Sequence, residues 1–167
     1  MVNRTQPAAP QATLLQTLMV RVGDTLCALR ASSVREILRP LPLQPVAGMP
    51  AFVLGLAVIR GRPVPVVDLC RVLGVECGSA IQRFVTLKVD DRTLALAVES
   101  VLGVRRLDES MLELMPSLLE GACGGILESL GARDRGLLLL LRSSRIIPPE
   151  VWQALDLTPG GTCSQRP

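Results

Sequence analysis

Side chains able to do covalent chemistry are thinly spread along this chain. None of its 167 residues is histidine. That removes Ser-His-Asp and Cys-His nucleophile pairs, histidine general bases and histidine metal ligands. A nucleophile needs an activating base beside it, and the remaining carboxylates are scattered singly. The adjacent Asp90-Asp91 reads as a turn, because neighbouring residues on a strand point to opposite faces and cannot act as an acid/base pair. The cysteines are Cys27, Cys70, Cys77, Cys123 and Cys163, an odd count with no C-x-x-C spacing. They read as reduced, mostly packed thiols. Gly121-Ala122-Cys123-Gly124-Gly125 lacks the Gly-Lys-Ser/Thr ending of a phosphate loop and reads as a plain loop. The residues point to no catalytic site, no cofactor and no metal.

Composition narrows the partners in the same way. Hydrophobic residues make up 49% of the chain and charged ones 20%, with a net charge of +3 carried almost wholly by arginine. The basic residues are dispersed, and Phe52, Phe84 and Trp152 are too few to build a stacking platform, so nucleic acid is not an expected partner. The densest apolar run, Leu137 to Leu141, is far short of the roughly 20 residues a helical membrane span needs. The N-terminal residues lack the apolar stretch of a secretion signal, so a cytoplasmic location is expected. The apolar content must therefore be core or interface.

The elements that would position such a surface read mostly as strands. Residues 1–12 and 158–167 are expected to be disordered tails, with one folded region between them. Leu14 to Val22, a Gly23-Asp24 turn and Thr25 to Leu29 make a hairpin. Ser32 or Ser33 is expected to cap a short helix through Leu38. Pro40, Pro42, Pro45 and Pro50 then force an irregular connection. Phe52 to Ile59 and Val64 to Val67 flank the turn Arg60-Gly61-Arg62-Pro63. Val64 to Val67 has the continuous apolarity of a strand covered on both faces. Asp68 suits the N-cap of a helix from Leu69 to Leu73 that Gly74 ends. In the second half, Phe84 to Val89, Asp90-Asp91 and Thr93 to Val98 repeat the hairpin. Leu102 to Leu107, Ile126 to Leu130 and Leu137 to Leu141 are further strands. Residues 108–123 read as helical turns and loop broken by Pro116, and Pro149 opens a closing helix. Thr25-Leu26-Cys27-Ala28-Leu29, then Val34 and Ile37, matches Thr93-Leu94-Ala95-Leu96-Ala97, then Val101 and Val104, about 68 positions on, a faint internal repeat suggesting two similar β units.

The stretch from Phe52 to Leu69, FVLGLAVIRGRPVPVVDL, resembles the signature of the chemotaxis coupling family, the CheW-like domain. So do Thr25 to Leu38, Val46 to Pro50, Val98 to Val104, and Leu130 to Leu141 with Asp134-Arg135. Two positions depart from the pattern: Val58 stands where the family usually has Asn, and Cys70 where an Arg usually follows V-D-L.

The resemblance implies a mainly β fold of two five-stranded SH3-like β-barrels around a shared apolar core, with short helices, formed by residues 13–157. It implies a non-catalytic adaptor without cofactors. Such an adaptor links the cytoplasmic tip of a chemoreceptor to the regulatory domain of a chemotaxis histidine kinase, at membrane-bound receptor arrays but without inserting in the bilayer. A variant serving a non-flagellar pathway, or acting as a sequestering competitor, is the alternative, motivated by Val58 and Cys70. The receptor-binding candidates are Val34, Glu36 and Ile37, placed in the first short helix, with Arg60 and Gly61 at the turn. Gly55 and Asp68 are read as structural. Residues for the kinase contact are not assigned, although Leu41, Leu43 and the Val64 to Val67 region are of the right apolar kind.

Overall fold

Runs rich in Val, Leu and Ile with no polar alternation can be strands only where both of their faces are covered. The computed structural model, which describes residues 13–114, 125–133 and 136–156, shows how that cover is arranged. β1 (Leu14–Val22) and β2 (Thr25–Arg30) form a hairpin, and a short 3-10 turn leads to β3 (Val34–Leu38). β4 (Val53–Ile59) and β5 (Arg62–Asp68) follow, then α1 (Leu69–Leu73). β6 (Arg83–Val89), β7 (Arg92–Val98) and β8 (Ser100–Asp108) come next. The described chain ends with β9 (Glu113–Leu114), β10 (Leu127–Arg133), β11 (Gly136–Leu141) and α2 (Pro149–Asp156). The expected tails, Pro116, most of the glycine cluster and Asp134-Arg135 lie outside the described residues.

Two sheets result, ordered β8-β1-β2-β11-β10-β9 and β3-β6-β7-β5-β4. They share one plan. A central antiparallel hairpin (β1–β2 or β6–β7) takes a parallel neighbour on one side, β11 on β2 and β5 on β7. On the other side sits a strand delivered from the opposite sheet. β3 follows β2 in the chain but pairs with β6, and β8 follows β7 but pairs with β1. The internal repeat is therefore real in topology, but its register differs from the sequence alignment by one residue. The equivalent turn residues are Gly23 and Asp90, both with positive φ. That places Ala28 on Ala95 and Leu29 on Leu96, one residue from their match in the sequence, while Val34 on Val101 stays as the sequence aligned it. A one-residue slip exchanges the two faces of a strand, which is why apolar letters alone misplace the match.

The fold class is mainly β with few short helices, in agreement with the sequence, but two expectations need correction. Among the described residues the sheets have six and five strands, and neither closes into a barrel through backbone hydrogen bonds. Residues 34–38 are a strand, not a short helix, and neither Ser32 nor Ser33 supplies a capping hydrogen bond. Pairing with β6 overrides a weak helix signal in a segment whose Val34 and Ile37 are β-branched.

Burial explains the continuous apolar runs. Leu18, Val20, Leu29, Val67, Val85, Leu87, Leu94, Leu96 and Leu141 fill one core between the two sheets. The alternate residues point inward to the concave side of each sheet's own curl: Ala57, Val66, Phe84, Ala95 and Ala97 in one, Met19, Ala28, Leu138 and Leu140 in the other. Alanine recurs on the concave side, where a tightly coiled sheet leaves little room. α2 closes the shared core with Val151 and Leu155, and Arg92 lies 5.0 Å from the Trp152 ring centroid while bonding Asp156 at 2.7 Å.

Two residues shape the segment that carries Arg60. Asp68 caps α1, its Oδ1 accepting from the Cys70 and Arg71 N–H groups at 3.0 and 3.5 Å. Gly74, with φ 65°, ends the helix. Gly55 has φ 143°, and a Cβ there would stand 2.5 Å from the Gln44 carbonyl oxygen. That carbonyl accepts from Leu56 N–H at 2.9 Å and pins the proline-rich connection to β4. Gly55→Ala should therefore lower stability by on the order of 2 kcal/mol, since the obstacle is backbone and the dihedral is wrong for an L residue. Asp68→Ala should cost about 1 kcal/mol. Urea unfolding of both variants checks the order of the two effects.

Candidate partner-binding site

The turn between β4 and β5 places two residues at positive φ, Arg60 at 51° and Gly61 at 76°. That sign pattern is the one a two-residue type I′ hairpin turn requires, and it suits the right-handed twist of the flanking strands. Arginine in this region carries local strain, so its side chain is expected to have a fixed task. The guanidinium is spread over the Glu36 carboxylate. Nε donates to Oε1 at 3.0 Å and to Oε2 at 3.1 Å, and Nη2 donates to Oε2 at 2.8 Å. Such a fork fixes orientation as well as charge.

Glu36 is itself held. Its backbone N–H donates to Thr86 Oγ1 at 3.1 Å, and the Thr86 hydroxyl donates back to the Glu36 carbonyl at 3.2 Å. This brace sits where the β3–β6 register shifts between Val34 and Glu36, leaving Arg35 without a partner across the ladder. A bulge loosens the backbone pairing, and the buried hydroxyl restores it.

β3 and β4 are the two end strands of the five-stranded sheet. An ion pair from β3 to the β4–β5 turn means that the sheet coils until its ends face each other. Side chains join them at that point, where backbone hydrogen bonds would complete a closed barrel.

Electrostatics reinforces the pair. Hydrogen bonding from Arg60 holds the Glu36 carboxyl below the usual carboxylate range, with the charges of Arg60 and Arg35 adding to the effect. The same bond, together with the charge of Glu36, raises the Arg60 guanidinium further. The Arg60 side chain is 80% exposed and that of Glu36 23% exposed. Among the described residues no group bonds Arg60 Nη1, which leaves its donors available to a partner carboxylate or carbonyl.

The candidate residues separate in space. Glu36, Arg60 and Gly61 come together. Val34 packs half-buried against the shared core. Ile37 is 43% exposed but lies on the face of β3 opposite Glu36. Val58, two residues before Arg60, is 70% exposed. The apolar residues suggested for a kinase contact differ in burial. Val64, Val66 and Val67 are buried, and Leu41 and Leu43 pack on the concave core of their sheet. Thr86 went unnoticed in the sequence. Its signal is a lone hydroxyl inside the run Phe84-Val85-Thr86-Leu87, where every neighbour is buried and a polar group must find a partner.

Comparison with known proteins agrees with this architecture. The family described as CheW-like domain matches residues 16–149. Chemotaxis protein CheW of Rhizobium meliloti (strain 1021) is 25% identical over 141 residues, covering 83% of this chain and 91% of the relative. Protein FrzA of Myxococcus xanthus is 31% identical over 104 residues, covering 60% of this chain and 63% of the relative. The crystal structure of the scaffolding protein TtCheW from Thermoanaerobacter tengcongensis superposes with a TM-score of 0.72 at 19% identity, covering 83% of this chain and 96% of that one.

The pair makes a prediction about acid. A carboxylate whose folded-state pKa is depressed stabilises the fold above its unfolded pKa, and that contribution fades as pH falls through the folded value. Glu36 should therefore titrate below an ordinary glutamate in the native protein and return to the ordinary range in Arg60→Ala. Carboxyl carbon shifts followed by NMR against pH read both curves.

Proposed function

Because this chain belongs to the CheW-like domain family, we propose that it is a non-catalytic adaptor coupling chemoreceptors to a chemotaxis-type histidine kinase in a cytoplasmic signalling array. The observation that carries the site assignment is the forked Arg60–Glu36 pair. It presents an oriented guanidinium at the rim of a coiled sheet, with donors still free. The partner at this rim is the helical hairpin tip of a receptor, whose side-chain carboxylates and exposed carbonyls accept from Arg60. Glu36 and Gly61 hold the arginine in place, Val58 supplies apolar contact nearby, Ile37 offers a separate exposed apolar side chain on the other face of β3, and Val34 supports β3 from the core side. Gly55 and Asp68 keep the β4–β5 segment in position. The region 13–157 acts as one unit, because the two sheets bury a common core. The regulatory domain of the kinase is the second partner, at a surface not assigned to particular residues.

A second reading keeps the receptor contact and changes the pathway. Val58 exposes an apolar side chain where the family pattern has Asn, so the rim is greasier and its choice of partner shifts. The protein would then serve a non-flagellar array, or compete for receptors without activating a kinase.

Arg60→Glu should weaken binding to the cognate receptor tip by roughly tenfold or more, because it sets a second carboxylate against Glu36 and removes the donors. The urea midpoint should change little, as an exposed pair contributes little to stability. Binding to immobilised receptor hairpin is the readout. Unchanged binding, or an unfolded variant, sinks the assignment. Phosphotransfer in a reconstituted receptor–kinase mixture separates the two readings, since a competitor binds receptor yet fails to raise kinase activity.

A further inference from the structure

A second constellation lies in a cleft of about 390 Å³ away from Arg60, lined by Asp68, Cys70, Arg71, Cys77, Ser79 and Glu99. Three chain segments meet there. Cys70 is in α1, Cys77 in the irregular connection to β6, and Glu99 in the single-residue link between β7 and β8. The structure joins Cys70 to Cys77 by a disulfide with a Cα–Cα separation of 6.2 Å, which corrects the expectation that every thiol is reduced. The spacing of seven residues gives no recognisable motif, so the sequence hides the pairing. Both sulfur atoms and a Glu99 carboxylate oxygen lie within 4.8 Å of one another.

Glu99 is the unusual member. It is 8% exposed, and Ser79 N–H donates to its Oε1 at 3.3 Å. Among the described residues no arginine or lysine is within ion-pair reach of it. Arg71, which lines the same cleft, is committed elsewhere: its Nε lies 3.2 Å from Asp68 Oδ2 and its Nη1 donates to the Ala51 carbonyl at 2.6 Å. A nearly buried carboxylate without a cation is costly. Cys27 is different in kind, since burial pushes its thiol up to about 12 and leaves it inert.

We propose that the reduced form of Cys70 and Cys77, together with Glu99, binds a thiophilic divalent cation of the Zn²⁺ type, with water in the fourth position. Two sulfurs and one carboxylate suit zinc and exclude calcium or magnesium, which need several oxygen ligands. The chemistry balances with a thiol reductant. Two equivalents of thiol are oxidised to their own disulfide, and the Cys70–Cys77 bond is cleaved to two thiols. Zn²⁺ then releases both thiol protons to solvent and forms two Zn–S bonds and one Zn–O bond. Tetrahedral zinc separates its sulfur ligands by about 3.8 Å. The exposed Cys77, on a connection without regular structure, can supply that small opening. Disulfide and metal are mutually exclusive clasps on the same connection, selected by redox state, and a reducing compartment favours the metal. This proposal does not depend on receptor or kinase binding.

The test uses the full chain, reduced with a phosphine that is then removed, and titrated with Zn²⁺ against a chromophoric chelator. One equivalent should bind. Cys77→Ser and Glu99→Gln should each weaken binding by roughly tenfold or more. With Co²⁺ as the probe, the thiolate charge-transfer band should fall by about half in Cys77→Ser and persist in Glu99→Gln at higher metal concentration. Oxidised protein should bind no metal at this site. Thermal unfolding of both variants controls for the fold, and Cys77 is exposed enough to change without disturbing the core. Reduced protein binding no more Zn²⁺ than Cys77→Ser, Glu99→Gln binding as tightly as the natural protein, or equal binding after oxidation would each overturn the proposal.

Discussion

The structure depends on one layer of apolar side chains that belongs to both sheets at once. Leu18, Val20 and Leu29 of one sheet meet Val85, Leu87, Leu94 and Leu96 of the other. The alternate residues of the same strands fill the concave sides. Strands buried on both faces cannot present their backbone or their side chains to a partner. Among the described strands, the surface left open is thereby confined to strand ends, turns and end strands. The exchange of β3 and β8 between sheets follows the same constraint, because each sheet lends a strand to the other and covers the hairpin that lent it. Leu29 or Leu96 replaced by alanine would open a cavity shared by the two halves, which is why the leucines and not the alanines set the register.

Coiling the five-stranded sheet brings its ends together, and a polar pair fills the place where a ladder would close. Arginine at positive φ, a forked carboxylate, a bulge and a buried threonine hydroxyl form one connected device. Each part makes sense only with the others. The bulge turns the Glu36 backbone toward Thr86, the hydroxyl satisfies both of its backbone groups, and the fixed carboxylate then holds Arg60. The result is a preorganised guanidinium, which loses less freedom on binding than a mobile surface arginine would.

The two departures from the family pattern fall in different physical settings. Val58 is out in solvent, two residues before Arg60. Cys70 is 8% exposed on α1, turned toward Cys77 and Glu99, and bears on how the connection to β6 is held. The first alters a rim and the second adds a clasp, so the variant positions do not point to a single cause.

Much was legible in the residues alone. The mainly β class, both hairpin turns, the Asp68 to Gly74 helix with its cap and stop, and the closing helix from Pro149 all follow from local chemistry: turn residues, capping side chains and apolar period. Arg60 beside Gly61 also reads as a tight turn. Tertiary structure decided what local chemistry leaves open. Residues 34–38 became a strand because β6 was there to pair with. The repeat found its register only when each leucine had a face to fill. Glu36 met Arg60, and Cys70 met Cys77 and Glu99, because the chain returns from distant positions to the same point. Turns and caps are settled by dihedral preferences and hydrogen bonds within a few residues. Long-range pairings are settled by which buried surfaces fit, and no single stretch of sequence contains that information.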